Sequence, residues 1–149
     1  MNIHTTAVTI EIWQDFLMYA RPADILECEI MVGKPFGELL LSDMATAEAL
    51  IDEDTKEVYA IGGIDKTEES GGLVWMICTQ RVEQHPTAFL RVMKRILKER
   101  QKEYKLLFNY VWLGNPLHIS WLKWMGAEMG AVLPIGANGE RFAYFEIKA

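Results

Sequence analysis

The sequence predicts an α/β fold in which about four helices flank a mixed, mostly antiparallel sheet of about six to seven strands. The main evidence is a helix from about Pro86 to Glu103, where apolar residues recur with the 3.6-residue helical period. Apolar, strand-like segments precede and follow this helix, at Leu73–Cys78 and Leu106–Leu113. A strand–helix–strand order favours a parallel pair inside the sheet, so these two segments are expected to lie side by side.

The N-terminal half is expected to supply one strand, two or three helices and a hairpin. Alternating apolar and β-branched residues predict the strand. Arg21-Pro22 separates the first two helices, because proline disfavours helical backbone in the residue before it. The polar segment Asp52–Thr55 predicts the hairpin turn. The elements are a strand at Ala7–Ile12, helices at Trp13–Ala20, Ala23–Val32 and Phe36–Met44, and hairpin strands at Ala47–Ile51 and Val58–Ile64.

The C-terminal third is expected to contain a short helix and two final strands. Asn115 is a suitable N-cap and Pro116 a suitable first helical residue, while Gly126 ends the helix. The turn at Ala137–Gly139 contains Asn-Gly, which readily adopts left-handed backbone. The two strands are Ala131–Ile135 and Arg141–Lys148.

Composition and charge limit the class of protein. The 149 residues have the size of one domain, expected to span 1–149, and 50% hydrophobic residues with 24% charged residues are typical of a globular protein. A formal net charge of −6 disfavours binding to nucleic acid or to an anionic membrane surface. No basic leader and no apolar run of roughly 20 residues occurs, so a cytoplasmic protein without a membrane span is expected. Its two cysteines, Cys28 and Cys78, are expected to be reduced.

The segment before the long helix reads Arg81-Val82-Glu83-Gln84-His85-Pro86. With the order of elements, it resembles the GNAT superfamily of acyl-CoA N-acyltransferases, whose sheet has a central splayed parallel pair of strands. That family carries Q/R-x-x-G-x-G/A here, and its backbone amides hold the pyrophosphate of acyl-CoA at a helix N-terminus. Arg81 stands at the Q/R place, but Gln84 replaces the first glycine and Pro86 the last small residue. Pro86 removes an amide donor and Glu83 adds negative charge, so phosphate binding is expected to be impaired.

The short helix carries a second motif of the same family, where relatives have N-x-x-A-x-x-L-Y-x-x-x-G-F. Asn115 and Gly126 keep the spacing of the family's Asn and Gly. Leu122 stands at the position of the tyrosine that protonates the leaving CoA thiolate in many relatives. Because leucine cannot transfer a proton, the resemblance implies the fold without its usual general acid.

A further pattern consists of Asn109–Asn115, His118-Ile119, Leu122-Lys123 and Gly126-Ala127, with Asp24–Glu27 near the start. It resembles the small internal virion, or virion-morphogenesis, proteins of short-tailed podophages. That family is itself GNAT-like, so the two resemblances agree on the fold and leave activity open. The resemblance implies a phage-encoded protein in the host bacterial cytoplasm, and in the virion if it stays with the particle.

The candidate site residues follow from these resemblances. His118, beside the expected acyl site, is the candidate catalytic base, although a buried, hydrogen-bonded histidine is the more ordinary role. Acetyl-CoA is the candidate cofactor, and its expected contacts are Arg81, Gln84, His85, Thr87, Ala88 and Asn115. The three histidines do not have the spacing of metal ligands, so no metal is expected.

Two functions stay open on the sequence. The first is virion morphogenesis through binding of phage or host proteins, with a degenerate acyl-CoA site. The second is an active acyl-CoA-dependent N-acetyltransferase of a phage or host amine, in which water or His118 replaces the missing acid. Basic residues on the long helix and several tryptophans favour a protein contact, although a solvated helix face and a packed core are the ordinary explanations. They are Arg91, Lys94, Arg95, Lys98, Arg100, Lys102 and Lys105, and Trp75, Trp112, Trp121 and Trp124.

Overall fold

The computed structural model describes residues 2–38 and 46–148, which form a seven-stranded sheet with five helices. The strands are β1 (Ile3–Ala7), β2 (Glu48–Asp52), β3 (Val58–Lys66), β4 (Gly71–Cys78), β5 (Leu106–Trp112), β6 (Glu128–Leu133) and β7 (Phe142–Lys148). The helices are α1 (Ile10–Tyr19), α2 (Pro22–Val32), α3 (Arg81–Gln84), α4 (Pro86–Arg100) and α5 (Pro116–Trp124). Short 3₁₀ turns occupy Phe36–Glu38 and Glu68–Ser70.

The sheet order β1-β2-β3-β4-β5-β7-β6 confirms the mixed, mostly antiparallel sheet. Only β4 and β5 run parallel among these neighbours, and α3 and α4 connect them. They are the two apolar segments on either side of the long helix. The strand–helix–strand order was therefore sufficient to predict which strands form the parallel pair.

The parallel pair splays apart soon after it begins. Pairing stops at Leu73 and Phe108, although both strands continue beyond these residues. The Asn109 side chain bridges the opening strands, since its Nδ2 donates to the Val74 carbonyl at 2.8 Å. Its Oδ1 accepts from the Tyr110 amide at 2.7 Å. One side chain thus satisfies two backbone groups at the point where the strands separate.

A cleft of about 460 Å³ opens where β4 and β5 part. Trp75 and Met76 of β4 and Asn109 and Tyr110 of β5 lie in its walls, and α2, α4 and α5 add further side chains. Most of the lining is apolar. The splayed pair therefore provides a pre-formed pocket at the centre of the sheet.

Two hydrophobic clusters hold the helices on opposite faces of the sheet. Side chains alternate between faces along a strand, so Leu50 of β2 joins one cluster and its neighbour Ile51 the other. Phe89 of α4 and Trp121 of α5 pack in the first cluster, and Phe16 of α1 packs in the second. The helical period of α4 places its apolar side chains in the first cluster, as predicted.

The first predicted strand, Ala7–Ile12, is wrong. The strand is β1, which ends at Ala7, and helix α1 begins at Ile10. Thr9 caps this helix, because its side-chain oxygen accepts from the Ile12 amide at 3.2 Å. The N-cap hydrogen bond outweighs the β propensity of the branched residues that suggested a strand.

Smaller differences lie at element ends. The one-turn helix α3 was not predicted, α4 ends at Arg100 rather than Glu103, and β6 spans Glu128–Leu133 rather than Ala131–Ile135. The predicted helix Phe36–Met44 begins as the 3₁₀ turn, and its remainder from position 39 lies outside the described residues. Within 2–38 and 46–148, no helix has both the length and the apolar character needed to cross a membrane.

Replacing Asn109 with leucine should lower the free energy of unfolding. The change leaves the half-buried Val74 carbonyl and Tyr110 amide without their partner, so the loss should be at most the roughly 1–3 kcal/mol that an unsatisfied, fully buried group costs. Urea denaturation at neutral pH measures the loss. Asn138→Ala, on the exposed β6–β7 turn, is the control and should change stability by less than about 0.5 kcal/mol. Equal losses in both variants would show that Asn109 does not hold the splayed strands.

Candidate functional site

Arg81 lies inside the structure and not on an open loop. Its guanidinium contacts the Asp15 carboxylate of α1 at 2.6 and 3.1 Å and the Val58 carbonyl at 2.9 Å. Its Nε lies 3.1 Å from a Glu57 carboxylate oxygen, and the Tyr19 ring packs against it at 4.1 Å. Arg81 therefore joins α3 to α1 and to the start of β3.

The ion pair between Arg81 and Asp15 shifts the pKa values of both groups. Burial by itself would raise the pKa of Asp15, but the Arg81 hydrogen bond, the Val58 amide and the Arg81 charge together lower this pKa below its ordinary value. Desolvation would lower the pKa of Arg81, but the hydrogen bond and charge of Asp15 raise it. Both groups are consequently charged at neutral pH.

The segment expected to hold a pyrophosphate is coiled into α3. The Glu83 amide donates to the Gln80 carbonyl at 3.1 Å, and the His85 amide donates to the Arg81 carbonyl at 3.3 Å. Pro86 has no amide to donate. These internal bonds use backbone donors that an anion at this loop would need.

The other candidate cofactor contacts lie on the outside of the α3–α4 junction. The side chains of Gln84, His85, Thr87 and Ala88 are all exposed. The Thr87 and Ala88 amides, in the first turn of α4, have no hydrogen-bond acceptor within the described part of the chain. This junction therefore keeps two free amides at a helix N-terminus, whereas the Val82, Glu83 and His85 amides of the preceding turn are bound to backbone carbonyls.

A buried polar cluster lies where β4 and β5 end. Arg21, Asp24 and Asn115 are 5%, 3% and 1% exposed. Asp24 Oδ1 accepts from Arg21 Nη1 at 2.5 Å and from Asn115 Nδ2 at 3.0 Å. Its Oδ2 accepts from the Cys78 amide at 2.8 Å. A single carboxylate of α2 thus joins the end of β4 to the start of α5.

Arg21 also connects this cluster to the altered loop. Its Nε donates to Glu83 Oε1 at 2.9 Å, and its guanidinium lies 5.5 Å from the centre of the Trp121 ring. Arg81 holds the same short helix from the other side through Asp15. Helix α3 is therefore fixed at both of its charged residues.

His118 stands beside the buried cluster and lines the cleft. Its Nδ1 is 3.6 Å from Glu27 Oε1, too far for a hydrogen bond, and has no hydrogen-bond partner among the described residues. Glu27 Oε1 accepts instead from Asn115 Nδ2 at 3.0 Å. An imidazole and a carboxylate thus lie together at the cleft wall, where proton transfer would require such groups.

Neither Leu122 nor the cysteines add chemistry to the cleft. Leu122, at the place of the family's tyrosine, is buried in the core that holds α4 and α5. Burial, with the charges of Glu27, Asp24 and Glu29, raises the pKa of Cys28 to about 12. Burial likewise raises the pKa of Cys78 well above its ordinary value. Both thiols are protonated at neutral pH and are poor nucleophiles.

No metal-binding arrangement of three or more His, Cys, Asp or Glu side chains is found in residues 2–38 and 46–148. The site in the described residues therefore consists of two salt-bridged clusters and an apolar cleft. Of the candidates from sequence, Asn115 and His118 meet at one cluster. Arg81 lies in the other, and the remaining candidates lie at the α3–α4 junction.

Sequence reasoning missed Asp15 and Arg21, and it placed Asp24 and Glu27 in the phage-like pattern without giving them a role in the site. In the sequence, Arg21 is noticeable only as the residue before Pro22 at a boundary between two helices. Its partners Glu83 and Asn115 are 62 and 94 positions away. The one local signal is the three-residue spacing of Asp24 and Glu27, which puts two carboxylates on one face of α2.

Replacing Asp15 with asparagine should destabilise the fold most at neutral pH. A carboxyl whose folded pKa is lowered contributes stability above its unfolded pKa and loses it as pH falls through the folded pKa. The difference in free energy of unfolding between wild type and Asp15→Asn should therefore shrink below about pH 4. Urea denaturation across pH 3 to 7 measures it. Asp65→Asn is the control, at an exposed position without an ion pair in the described residues. Its free energy of unfolding should differ little from that of wild type at any pH. A loss of stability in Asp15→Asn that does not change with pH would contradict the role of the Arg81–Asp15 ion pair.

Solved structures of GNAT acetyltransferases share this fold. An acetyltransferase of the GNAT family from Bacillus anthracis superposes with a TM-score of 0.77, 11% identity and coverage of 99% of this chain and 95% of that one. Ribosomal-protein-alanine N-acetyltransferase from Brucella melitensis superposes with a TM-score of 0.69 and 10% identity, over 98% of this chain and 99% of that one. Ard1 from Thermoplasma volcanium superposes with a TM-score of 0.67 and 10% identity, over 100% of this chain and 99% of that one. At such low identity the likeness establishes the fold alone.

Sequence comparison points to a phage family. No curated protein matches the chain at a significant level. The model of one family, described as bacteriophage T7, probable scaffold protein Gp13, matches residues 48–138. That segment covers more than half of the chain and includes α3, α4, α5 and the splayed strands. The chain therefore has the GNAT fold and belongs to the bacteriophage T7 probable scaffold protein Gp13 family.

Proposed function

We propose that this chain acts in virion morphogenesis by binding other proteins, and that its acyl-CoA site is degenerate. The observation that carries the proposal is the internal engagement of the loop before α4. Arg81 is bound to Asp15 and Glu57, and the Glu83 and His85 amides are bound to backbone carbonyls. The description of the family as a probable scaffold protein supports a role in particle assembly.

Opening this loop for an anion would cost interactions that the chain already makes. Arg81 would have to leave two carboxylates without their cation. The Glu83 and His85 amides would each exchange an internal hydrogen bond, with a net value of about 1 kcal/mol, for one to the ligand. The binding energy of a pyrophosphate would be reduced by these losses.

Charge at the loop also opposes a polyanion. Glu83 is held in place by Arg21, so its carboxylate does not simply swing away. Pro86 offers no amide at the start of α4, where the helix dipole would otherwise favour a negative group. These two features support a site that no longer retains acyl-CoA.

An active N-acetyltransferase is the second candidate, and specific observations favour it. The cleft between β4 and β5 is open, the Thr87 and Ala88 amides are free within the described residues, and His118 and Glu27 face the cleft. In this reaction an amine would attack the acyl thioester carbonyl, the C–S bond would break, and the thiolate would take up a proton from water or from the protonated His118. His118 would accept the proton of the amine, while positioning would supply much of the rate.

Acetyl-CoA should leave the melting temperature of the purified chain unchanged. A ligand that binds the folded state alone, at a hundredfold excess over its Kd, stabilises by about 2.7 kcal/mol and would raise the midpoint by roughly 5 °C or more. Thermal melting with acetyl-CoA and a longer acyl-CoA measures this shift. A clear rise in midpoint, together with acetylation of an amine, would support the second candidate and overturn the degenerate site.

A restored loop provides the matched control. The double variant Gln84→Gly/Pro86→Ala has small residues at both family positions and regains the amide that proline lacks. It should show a larger midpoint shift with acetyl-CoA than wild type does. An unchanged response would show that these two residues are not the cause of weak binding.

A phage with an early stop codon in this gene should form few infectious particles. A plasmid copy of the wild-type chain should restore them, and plaque counts with electron microscopy of lysates measure the effect. His118→Gln, which removes the candidate base, should restore particles as well as wild type if binding is the function. Normal particle yield without the chain would reject the role in morphogenesis, and failure of a folded His118→Gln variant would favour the enzyme.

A further inference from the structure

Positive charge is concentrated on α4 although the chain is acidic. Five of the 15 Lys and Arg residues lie in this helix, but only one of the 21 Asp and Glu residues does. The rest of the chain is consequently more acidic than its formal net charge of −6 indicates. Such a separation of charge within one small protein creates a local field that attracts an oppositely charged surface.

Several of these cations are free of internal partners. Arg91, Arg95 and Lys98 are exposed and have no carboxylate within salt-bridge distance among residues 2–38 and 46–148. Arg100 by contrast is paired with Glu48, and Lys102 with Glu99. The free cations recur at three- and four-residue spacing, so they lie along one face of the helix.

An exposed tryptophan borders this face. Trp124, at the end of α5, is 49% exposed, and the Lys94 ammonium lies 4.9 Å from its ring centre. Phe89 and Trp121 pack with ring centres 6.0 Å apart and hold α4 beside α5. Lys123 next to Trp124 is also exposed. The α4–α5 surface is the set Arg91, Lys94, Arg95, Lys98, Lys123 and Trp124.

A solvated basic helix face would explain the charges but not the tryptophan. A large aromatic group left half in water, beside unpaired cations, is typical of protein-binding surfaces, where Trp and Arg contribute much of the binding energy. A charged rim around an aromatic anchor also gives a partner its orientation.

We propose that the α4–α5 surface binds an acidic segment of a partner protein, with an apolar side chain of that segment against Trp124. The inference rests on the proposed role in protein binding and names the partner's chemistry. Charge complementarity selects an acidic partner. The overall negative charge of this chain disfavours a nucleic acid, whose long phosphate backbone would also meet the acidic remainder.

Fluorescence anisotropy with a short labelled peptide of Glu and Asp around one Phe tests the surface. The charge-reversal variant Arg95→Glu/Lys98→Glu should weaken binding roughly tenfold, since two exposed ion pairs are lost and repulsion is added. Lys34→Glu/Lys66→Glu changes the net charge equally at exposed positions outside the surface and should bind within about twofold of wild type. Trp124→Ala should also weaken binding, while Val132→Ala, at an exposed apolar position on β6, should not. Circular dichroism melting confirms that each variant is folded.

Three results would overturn the proposal. Equal loss in both charge-reversal variants would show general electrostatic attraction. Tighter binding of a single-stranded oligothymidine than of the peptide, lost in Arg95→Glu/Lys98→Glu, would assign the surface to nucleic acid. Self-association in sedimentation that this same variant abolishes would assign it to a second copy of the chain.

The proposed function and this surface can fail separately. If the stop-codon phage assembles normally while the peptide binds selectively, the role in morphogenesis fails and the surface stands. If that phage fails to assemble but folded wild-type chain does not bind the peptide, the surface proposal fails and the role stands. Loss of complementation by Arg95→Glu/Lys98→Glu, but not by Lys34→Glu/Lys66→Glu, would support both.

Discussion

Two parallel strands that part in the middle of a sheet must find new partners for their backbone groups. In this chain the residue before α2 and the first turn of α2 supply them for the end of β4. The Arg21 amide donates to the Cys78 carbonyl at 2.8 Å, and the Cys78 amide donates to Asp24 at 2.8 Å. Asn109 does the same nearer the start of the splay. These replacement hydrogen bonds determine the position of α2, the shape of the cleft and the start of α5.

The charged groups that complete this arrangement also close the loop before α4. Arg21 forms ion pairs with Asp24 in the cluster and with Glu83 on α3. On the other side of α3, Arg81 forms an ion pair with Asp15. Each cation is therefore already neutralised by carboxylates of the chain. The cations near the loop before α4 are thus directed inward, and unpaired cations among the described residues lie farther along α4. The pattern supports recognition at the α4–α5 surface more than at the cleft.

Local patterns predicted most of the elements but not the contacts of the site. The helical period of α4 and the apolar segments beside it are properties of adjacent residues, so the parallel pair could be predicted. Asn115 was predicted as an N-cap, and it occupies that position, but its side chain makes no capping bond and binds Asp24 and Glu27 instead. Those partners are about 90 residues away. Neither spacing nor propensity carries information on contacts of such separation.

The splayed strands do not require a ligand to stay apart. If β4 and β5 were paired along their whole length, the Asn109 bridge and the Asp24–Cys78 hydrogen bond would both be lost. The buried carboxylate of Asp24 would then keep fewer hydrogen-bond partners. Removing hydrogen-bond partners from a buried carboxylate and from backbone groups is destabilising. The hydrophobic clusters on both faces also pack against the parted strands. The cleft is therefore a stable consequence of internal hydrogen bonding and packing, so its presence is compatible with a protein that retains the fold and uses another surface for its function.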